Sequence, residues 1–342
     1  MRLALPLFGY ALAVAWWSSA PLARLTAPGL RPRLGLAAWL TAMASALAAA
    51  AAAVAFLIRA AVGGWTGLAE VVCRSVAGHA CAQTVYQSAA FELILAIIAV
   101  VAALAAGVLA WRYGRSVQRA RRQTRAHREV ARIVGRALAG SAGTGRRPAG
   151  AGRGAGRGAG RGAGRGAAAV VIEGAAPVAY CVGGRPATIV LSSGALEVLD
   201  PAQLGAVLAH ERAHLAGRHH LLIALTRGLA AAFPGVPLFG RGLDHVLRLS
   251  EMCADDAAAR RSGRPALAGA LLAMATGAAV PAGALGAMAC AVSARLGRLA
   301  EVPGRGPDAR SGLALVTPIA LVALTLALAA GPALVALAAT RA

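Results

Sequence analysis

Four stretches of the chain run apolar for about 20 residues or more: 3–22, 34–57, 91–111 and 313–339. Each is long enough to cross a bilayer as a helix, which takes about 20 residues. The first has the look of a secretion signal ending at Ser18-x-Ala20. Pro21 directly after it, and a second apolar stretch so soon afterwards, favour a retained span. Between the third and fourth stretches the pattern is that of a folded domain. PVAYCVGG and ATIVLSSG are short β-rich runs bounded by glycine and proline, with a turn at GGRP, and predict two strands in a hairpin. GALEVLDPAQLGAVLAHERAHLAG follows and predicts a helix. Asp200 is its N-cap and Pro201 its first residue. Leu204, Val207 and Leu208 form its apolar stripe, and Gly217 stops it. LRLSEMCADDAAARRSG predicts a second polar helix. Residues 221–240 are apolar but interrupted by Arg227, Pro234 and Pro237. They read as a helix within the domain or dipping into the bilayer. Residues 266–292, rich in alanine and glycine, read as one more packed or membrane-skimming helix.

Composition strengthens the membrane reading. The chain is 58% hydrophobic, with a mean hydropathy of +0.65, which excludes an ordinary soluble protein. All 35 basic residues are arginine, against 13 acids, so the formal net charge is +22. Arginine without lysine, among abundant alanine and glycine, points to a GC-rich, bacterial genome. Arginine also sets orientation, because short basic loops stay in the cytoplasm. Arg24, Arg31 and Arg33 lie between the first two spans, and the region after the third span is far more basic. The loop between spans two and three, about residues 60–90, holds only Arg74 apart from Arg59 at its edge. The expected topology is N-terminus outside, residues 112–312 in the cytoplasm and C-terminus outside. Cys73 and Cys81 then lie in the external loop, where a disulfide is possible. Cys181, Cys253 and Cys290 lie on the reducing side with no CxxC spacing.

Residues 112–168 read as a basic, Arg/Gly-rich cytoplasmic linker. WRYGRSVQRARRQTRAHREVARIVGRALAG continues span three as a basic helix, and GRGAGRGAGRGAGRGA is a strict repeat. Arg112 to Arg165 hold 15 arginines against one acid, Glu129. Tracts of this kind that bind RNA interleave aromatics for base stacking. None occurs between Tyr113 and Tyr180, so the expected role is a spacer lying against anionic lipid, and direct nucleic-acid binding is not expected.

The candidate chemistry is concentrated in AHERAHLAGRHH, which holds four of the seven histidines. His210-Glu211-Arg212-Ala213-His214 is H-E-x-x-H. On a helix the two histidines stand one turn apart on one face and can hold one zinc ion. Glu211 is offset by one residue, within reach of a water at that ion, as general base. With seven histidines and eight glutamates in the chain, chance produces this pattern on the order of a few times in a thousand. A third ligand is expected from another helix. Glu251 and Asp255 are again four residues apart: Glu251 as ligand, Asp255 as the carboxylate that orients a ligand histidine, with Asp256 as an alternative to it. His219 and His220 read as helix-terminal or lipid-facing polar residues, and His127 as solvated. His245 or Arg260 are candidates for stabilising a developing oxyanion, with Arg261 and Arg264 as neighbours of the same charge.

H-E-x-x-H followed by E-x-x-x-D resembles the membrane-embedded gluzincin metallopeptidases. The nearer likeness is to the BlaR/MecR-type antibiotic-sensor proteases, the more distant to the HtpX and CAAX-protease types. IVLSSGALEVLDPAQLGAVLAHERAHL and HLLIALTRGLAAAFPGVPLFG are similar to the segments that surround the two motifs there. The likeness is strongest over residues 170–265. No external penicillin-binding domain like that of the sensors is expected, so any signal is expected through the external loop, the spans or a partner.

The fold expected is mainly α: a polytopic helical membrane protein with a cytoplasmic α+β gluzincin zinc-peptidase domain. Residues 1–111 hold three transmembrane helices, 112–168 the linker, 169–311 the peptidase domain and 312–342 a fourth span and tail. The function expected is a cell-membrane zinc endopeptidase, one Zn2+ per chain, cleaving a cytoplasmic protein substrate. The resemblance implies a DNA-binding repressor of the BlaI type as that partner. A housekeeping HtpX-like protease of quality control and a non-catalytic zinc-binding membrane scaffold are the alternatives.

Overall fold

The computed structural model describes residues 4–75, 82–138, 167–184, 186–276 and 285–300. The predicted fourth span and the Arg/Gly repeat lie outside them, as do the side chains of Cys73 and Cys81. The described residues are mainly helical, with one small sheet, and fall into two compact units. Of these residues, those up to 116 and 226–245 form the first unit, and those of 117–225 with 246–300 the second.

In the first unit, α1 (Ala4–Trp17) and α2 (Ser19–Thr26) pack on α3 (Pro32–Ser75). Small residues on α3, among them Ala38, Ala42, Ala46, Ala49 and Ala53, are buried and let the helices approach closely. Trp39 is fully buried and gives its Nε1 proton to Thr26 Oγ1 at 3.2 Å. α4 (Ala82–Val134) exposes Leu93, Ile97, Val101, Leu104 and Val108. Two helices are long and apolar enough to cross a membrane, Pro32–Arg59 and Ala96–Ala126. The first lies over the second predicted span, 34–57, and the second overlaps the third, 91–111, from residue 96 onward. The first predicted span is instead a broken helix, with a 14-residue apolar part ending at Trp17. The break follows from Pro21, which has no N–H to give to the Trp17 carbonyl and whose ring crowds it. The predicted loop at 60–90 is largely helix: α3 runs on to Ser75 and α4 begins at Ala82. No proline interrupts 60–75, and the Gly63-Gly64 pair alone does not end the helix.

In the second unit the sheet has the order β1-β2-β4-β3. β1 (Arg136–Ala137) is antiparallel to β2 (Ala168–Ile172), β2 is parallel to β4 (Thr188–Ser192), and β3 (Ala179–Val182) is antiparallel to β4. The predicted hairpin is therefore β3–β4, in the register Cys181 opposite Ile189. β1 comes from within the predicted linker, because a two-residue strand carries no periodicity to read. Ile189, Val190 and Leu191 are all fully buried, as a central strand requires. Leu191 packs with Leu199 and with Val207 of α6 (Pro201–Ala216), after the short α5 (Ser193–Val198). α7 (His219–Ala232) and α8 (Pro237–Ser262) are separated by Pro234 and Gly235, the latter at φ +81°, so the apolar stretch 221–240 is a helix-turn-helix. α9 (Arg264–Thr276) and α10 (Leu285–Ala300) replace the single helix predicted at 266–292. Ala206 and Ala209 of α6 share a buried cluster with Ala258 of α8, Leu267 of α9 and Leu299 of α10.

The first turn of α6 sets the helical phase of every residue after it, His210 and His214 included. Asp200 accepts from the Gln203 N–H at 2.8 Å, and Gln203 Oε1 accepts from the Asp200 N–H at 3.2 Å, a complete capping box with Pro201 behind it. Asp200→Ala should cost about 1 kcal/mol of unfolding free energy and speed amide exchange at residues 202–204. Unchanged exchange there would show that the cap contributes nothing.

Candidate metal centre

α6 presents His210 and His214 on one face, and α8 presents Glu251 and Asp255 on one of its own. The side chains meet in a small triangle. His210 Nε2 lies 3.0 Å from His214 Nε2. The Glu251 carboxylate lies 3.4 Å from each of them, through Oε2 to His210 and Oε1 to His214. Metal–ligand bonds of about 2.0–2.1 Å in a tetrahedron place ligands roughly 3.3–3.4 Å apart. Two sides of the triangle have that length and the third, between the histidines, is shorter at 3.0 Å; its donors are the borderline nitrogen and hard oxygen that zinc accepts, and the three leave one tetrahedral corner open. The residues present fit a catalytic-type zinc ion. Both histidines are nearly enclosed, with side chains 11% and 12% exposed, whereas Glu251 is 40% exposed, so the centre opens on the Glu251 side.

Behind the triangle lies Asp255, with no exposed surface. Its Oδ1 is 3.1 Å from His210 Nδ1, within ion-pair reach though off the line of a hydrogen bond. Arg295 of α10 grips the same carboxylate with two charge-assisted bonds, Nε to Oδ2 at 2.8 Å and NH2 to Oδ1 at 2.6 Å. A third nitrogen, NH1, reaches Glu251 Oε2 at 3.3 Å. Asp256 instead pairs with Arg298 at 2.8 Å, so Asp255 and not its neighbour faces the histidine. Glu211 is buried one residue along from His210, near the thiol of Cys181 on β3. Burial first, and then the Glu211 charge, push that thiol well above its usual range.

The electrostatics follow from these contacts. Burial lowers the pKa of His210, but the Asp255 and Glu251 carboxylates outweigh it and hold the pKa at about 9. Burial raises the Glu251 and Asp255 carboxyls, and their cationic neighbours more than reverse this, leaving both below the usual range. His219 is pulled the other way, to about 4, by burial and by the neighbouring His214.

Arg295 was not among the candidates read from the chain, although Arg295 and Arg298, three apart in an otherwise apolar helix, are the signal for it. Of the two candidates for an oxyanion partner, Arg260 is exposed in the last turn of α8. His245 belongs to the first unit, stacked on Trp39 at 4.7 Å and 3.4 Å from Thr26 Oγ1. The positive charge at the triangle comes from Arg295. The run 210–220 also fits H-E-x-x-H-x-x-G-x-x-H, in which the last histidine is the third ligand. The geometry decides otherwise: Glu251 closes the triangle, while the His220 ring lies over Gly183.

Geometry and motif together fit a site for a metal ion. Residues 155–280 match the model of peptidase family M48. That family comprises zinc metallopeptidases and includes the BlaR and HtpX types, so the resemblance holds over the segment that carries both motifs. No curated protein and no solved structure matches the chain.

The proton on His210 and a divalent cation compete for one nitrogen. In the metal-free protein His210 stabilises the fold below its unfolded pKa of about 6.5, and this contribution is lost as pH rises through about 9. Zinc affinity should run oppositely, rising up to about tenfold per pH unit between pH 7 and 9, with about one proton released per ion. Calorimetry in buffers of different ionisation enthalpy measures that proton. No release at pH 7 would contradict the protonated His210.

Proposed function

We propose that the chain is a membrane-integral zinc endopeptidase that cuts a protein substrate on the cytoplasmic side. The observation that carries this is the triangle of His210, His214 and Glu251 near tetrahedral ligand spacing, with Glu211 buried beside it. Zinc held there would polarise the scissile carbonyl and lower the pKa of water to about 7. The chain's own residues do the rest. Glu211 accepts the proton of the attacking water and delivers it to the departing amine nitrogen. Asp255 faces the His210 ring, whose Nε2 is turned to the other ligands, and Arg295 keeps Asp255 ionised and reaches Glu251. β3 is an edge strand among the described residues, and Cys181 puts it beside Glu211. An extended peptide pairing with its free edge would pass the centre with its backbone held in register.

Two apolar helices of membrane length and a strongly basic segment after Trp111 support a membrane setting with the centre in the cytoplasm. A DNA-binding repressor of the BlaI type is the substrate the family likeness favours, and its cleavage would release transcription. Glu211→Gln should lower proteolysis about 10²–10⁴-fold while zinc still binds one per chain. His214→Ala should lose the metal. A survey of new protein N-termini in cells carrying the wild type or Glu211→Gln names the substrate. If zinc binds but the two N-terminal sets are identical, the peptidase reading fails and a zinc-stabilised scaffold takes its place.

A further inference from the structure

His210 and His214 are held by unlike partners. His210 has the Asp255 carboxylate behind it, whereas the far nitrogen of His214 meets another imidazole: His214 Nδ1 lies 3.0 Å from His219 Nδ1. Two ring nitrogens at that distance share one proton, one donating and one accepting. His214 turns Nε2 to His210 and Glu251, so Nε2 must keep its lone pair for a metal, and the ring's proton sits on Nδ1. His219 is then the acceptor through Nδ1 and carries its own proton on Nε2.

The chain is built to put His219 there. α6 ends at Ala216, and Arg218 takes a left-handed conformation, φ 50°, uncommon for a residue with a side chain. That reversal starts α7 with His219 folded back over the last turn of α6. The ring is only 5% exposed and stands edge-on to His214, centroids 4.8 Å apart at 89°. Its Nε2 side lies over Gly217, where any Cβ would collide with the ring. Gly217 itself has φ −75°, so glycine is required there for space and not for backbone freedom.

We propose that His219 is a positioning residue for the metal centre: it accepts the Nδ1 proton of His214 and thereby fixes that ring with its Nε2 lone pair facing Glu251 and His210. This rests on the metal reading given under Proposed function. Orienting partners of this kind are worth about 10–100-fold in metal affinity. His219→Leu removes the acceptor, whereas His219→Asn returns an oxygen to about the place of Nδ1.

The test uses the full chain in detergent, loaded with zinc or cobalt(II), with transfer of the metal to a chromogenic chelator as readout. His219→Leu should lose zinc about 10–100-fold faster than wild type, with altered visible bands in the cobalt form. His219→Asn should stay within about threefold of wild type. Equal loss rates for wild type and His219→Leu would overturn the proposal. So would equally fast loss from the Leu and Asn variants, which would mean that ring volume, not the acceptor, matters. Should His219→Leu fail to fold, Gly217→Ala, which pushes the ring off His214, carries the same expectation. A wild-type chain that takes up neither metal would overturn the metal reading itself.

Discussion

The second unit turns on one buried charge. Asp255 has no exposed surface, and a carboxylate left alone there would cost several kcal/mol. Its ionisation requires Arg295 from α10 on one side and brings His210 from α6 to the other. Three helices, distant in the chain, must therefore be in place together. Apolar contact cannot impose this, because burial is non-directional and the shared cluster of Ala206, Ala209, Ala258, Leu267 and Leu299 tolerates sliding. The bidentate Arg295–Asp255 pair does not tolerate it. Arg298, three residues on, bonds Asp256 and the Met252 carbonyl, and so doubles the constraint on the register of α10 against α8.

With α8 held this way, Glu251 is placed one turn before Asp255, at the mouth of the centre. The ligand helix and the orienting carboxylate are the same element, so error in one is error in the other. The histidines on α6 are set by a different device. Their positions descend from the capping box at Asp200 and Gln203 and from the wall of Ile189 and Leu191 beneath. The centre is thus the junction of a helix fixed by the sheet and a helix fixed by ion pairs. Among the described residues, partial exposure at Glu251 makes it the open side of the centre.

Glycine matters here as absence of volume. Gly217 and Gly183 each take an imidazole ring where a side chain would stand, His219 and His220 respectively. In the first unit Gly242 does the same for Met43 and the fully buried Trp39. Close approach of ring to backbone is how a chain with few aromatics packs polar rings without voids.

Much of the centre was legible in the chain. H-E-x-x-H and E-x-x-x-D are helical spacings, so the pairing of residues within each motif is decided by 3.6 residues per turn. The Asp200 cap, the β3–β4 hairpin and the two long apolar helices are likewise local patterns, as was the fold class: mainly helical with a small sheet. What the chain alone left open is everything that depends on distance across it. It could not show that Arg295 completes the centre, that Asp255 rather than Asp256 faces His210, or that β1 joins the sheet. It read His219 as a terminal polar residue because burial is not written in a residue's neighbours. Local spacing is set by backbone geometry and survives in sequence. Which face meets which is settled only when buried charges find their partners, and that is a property of the folded chain.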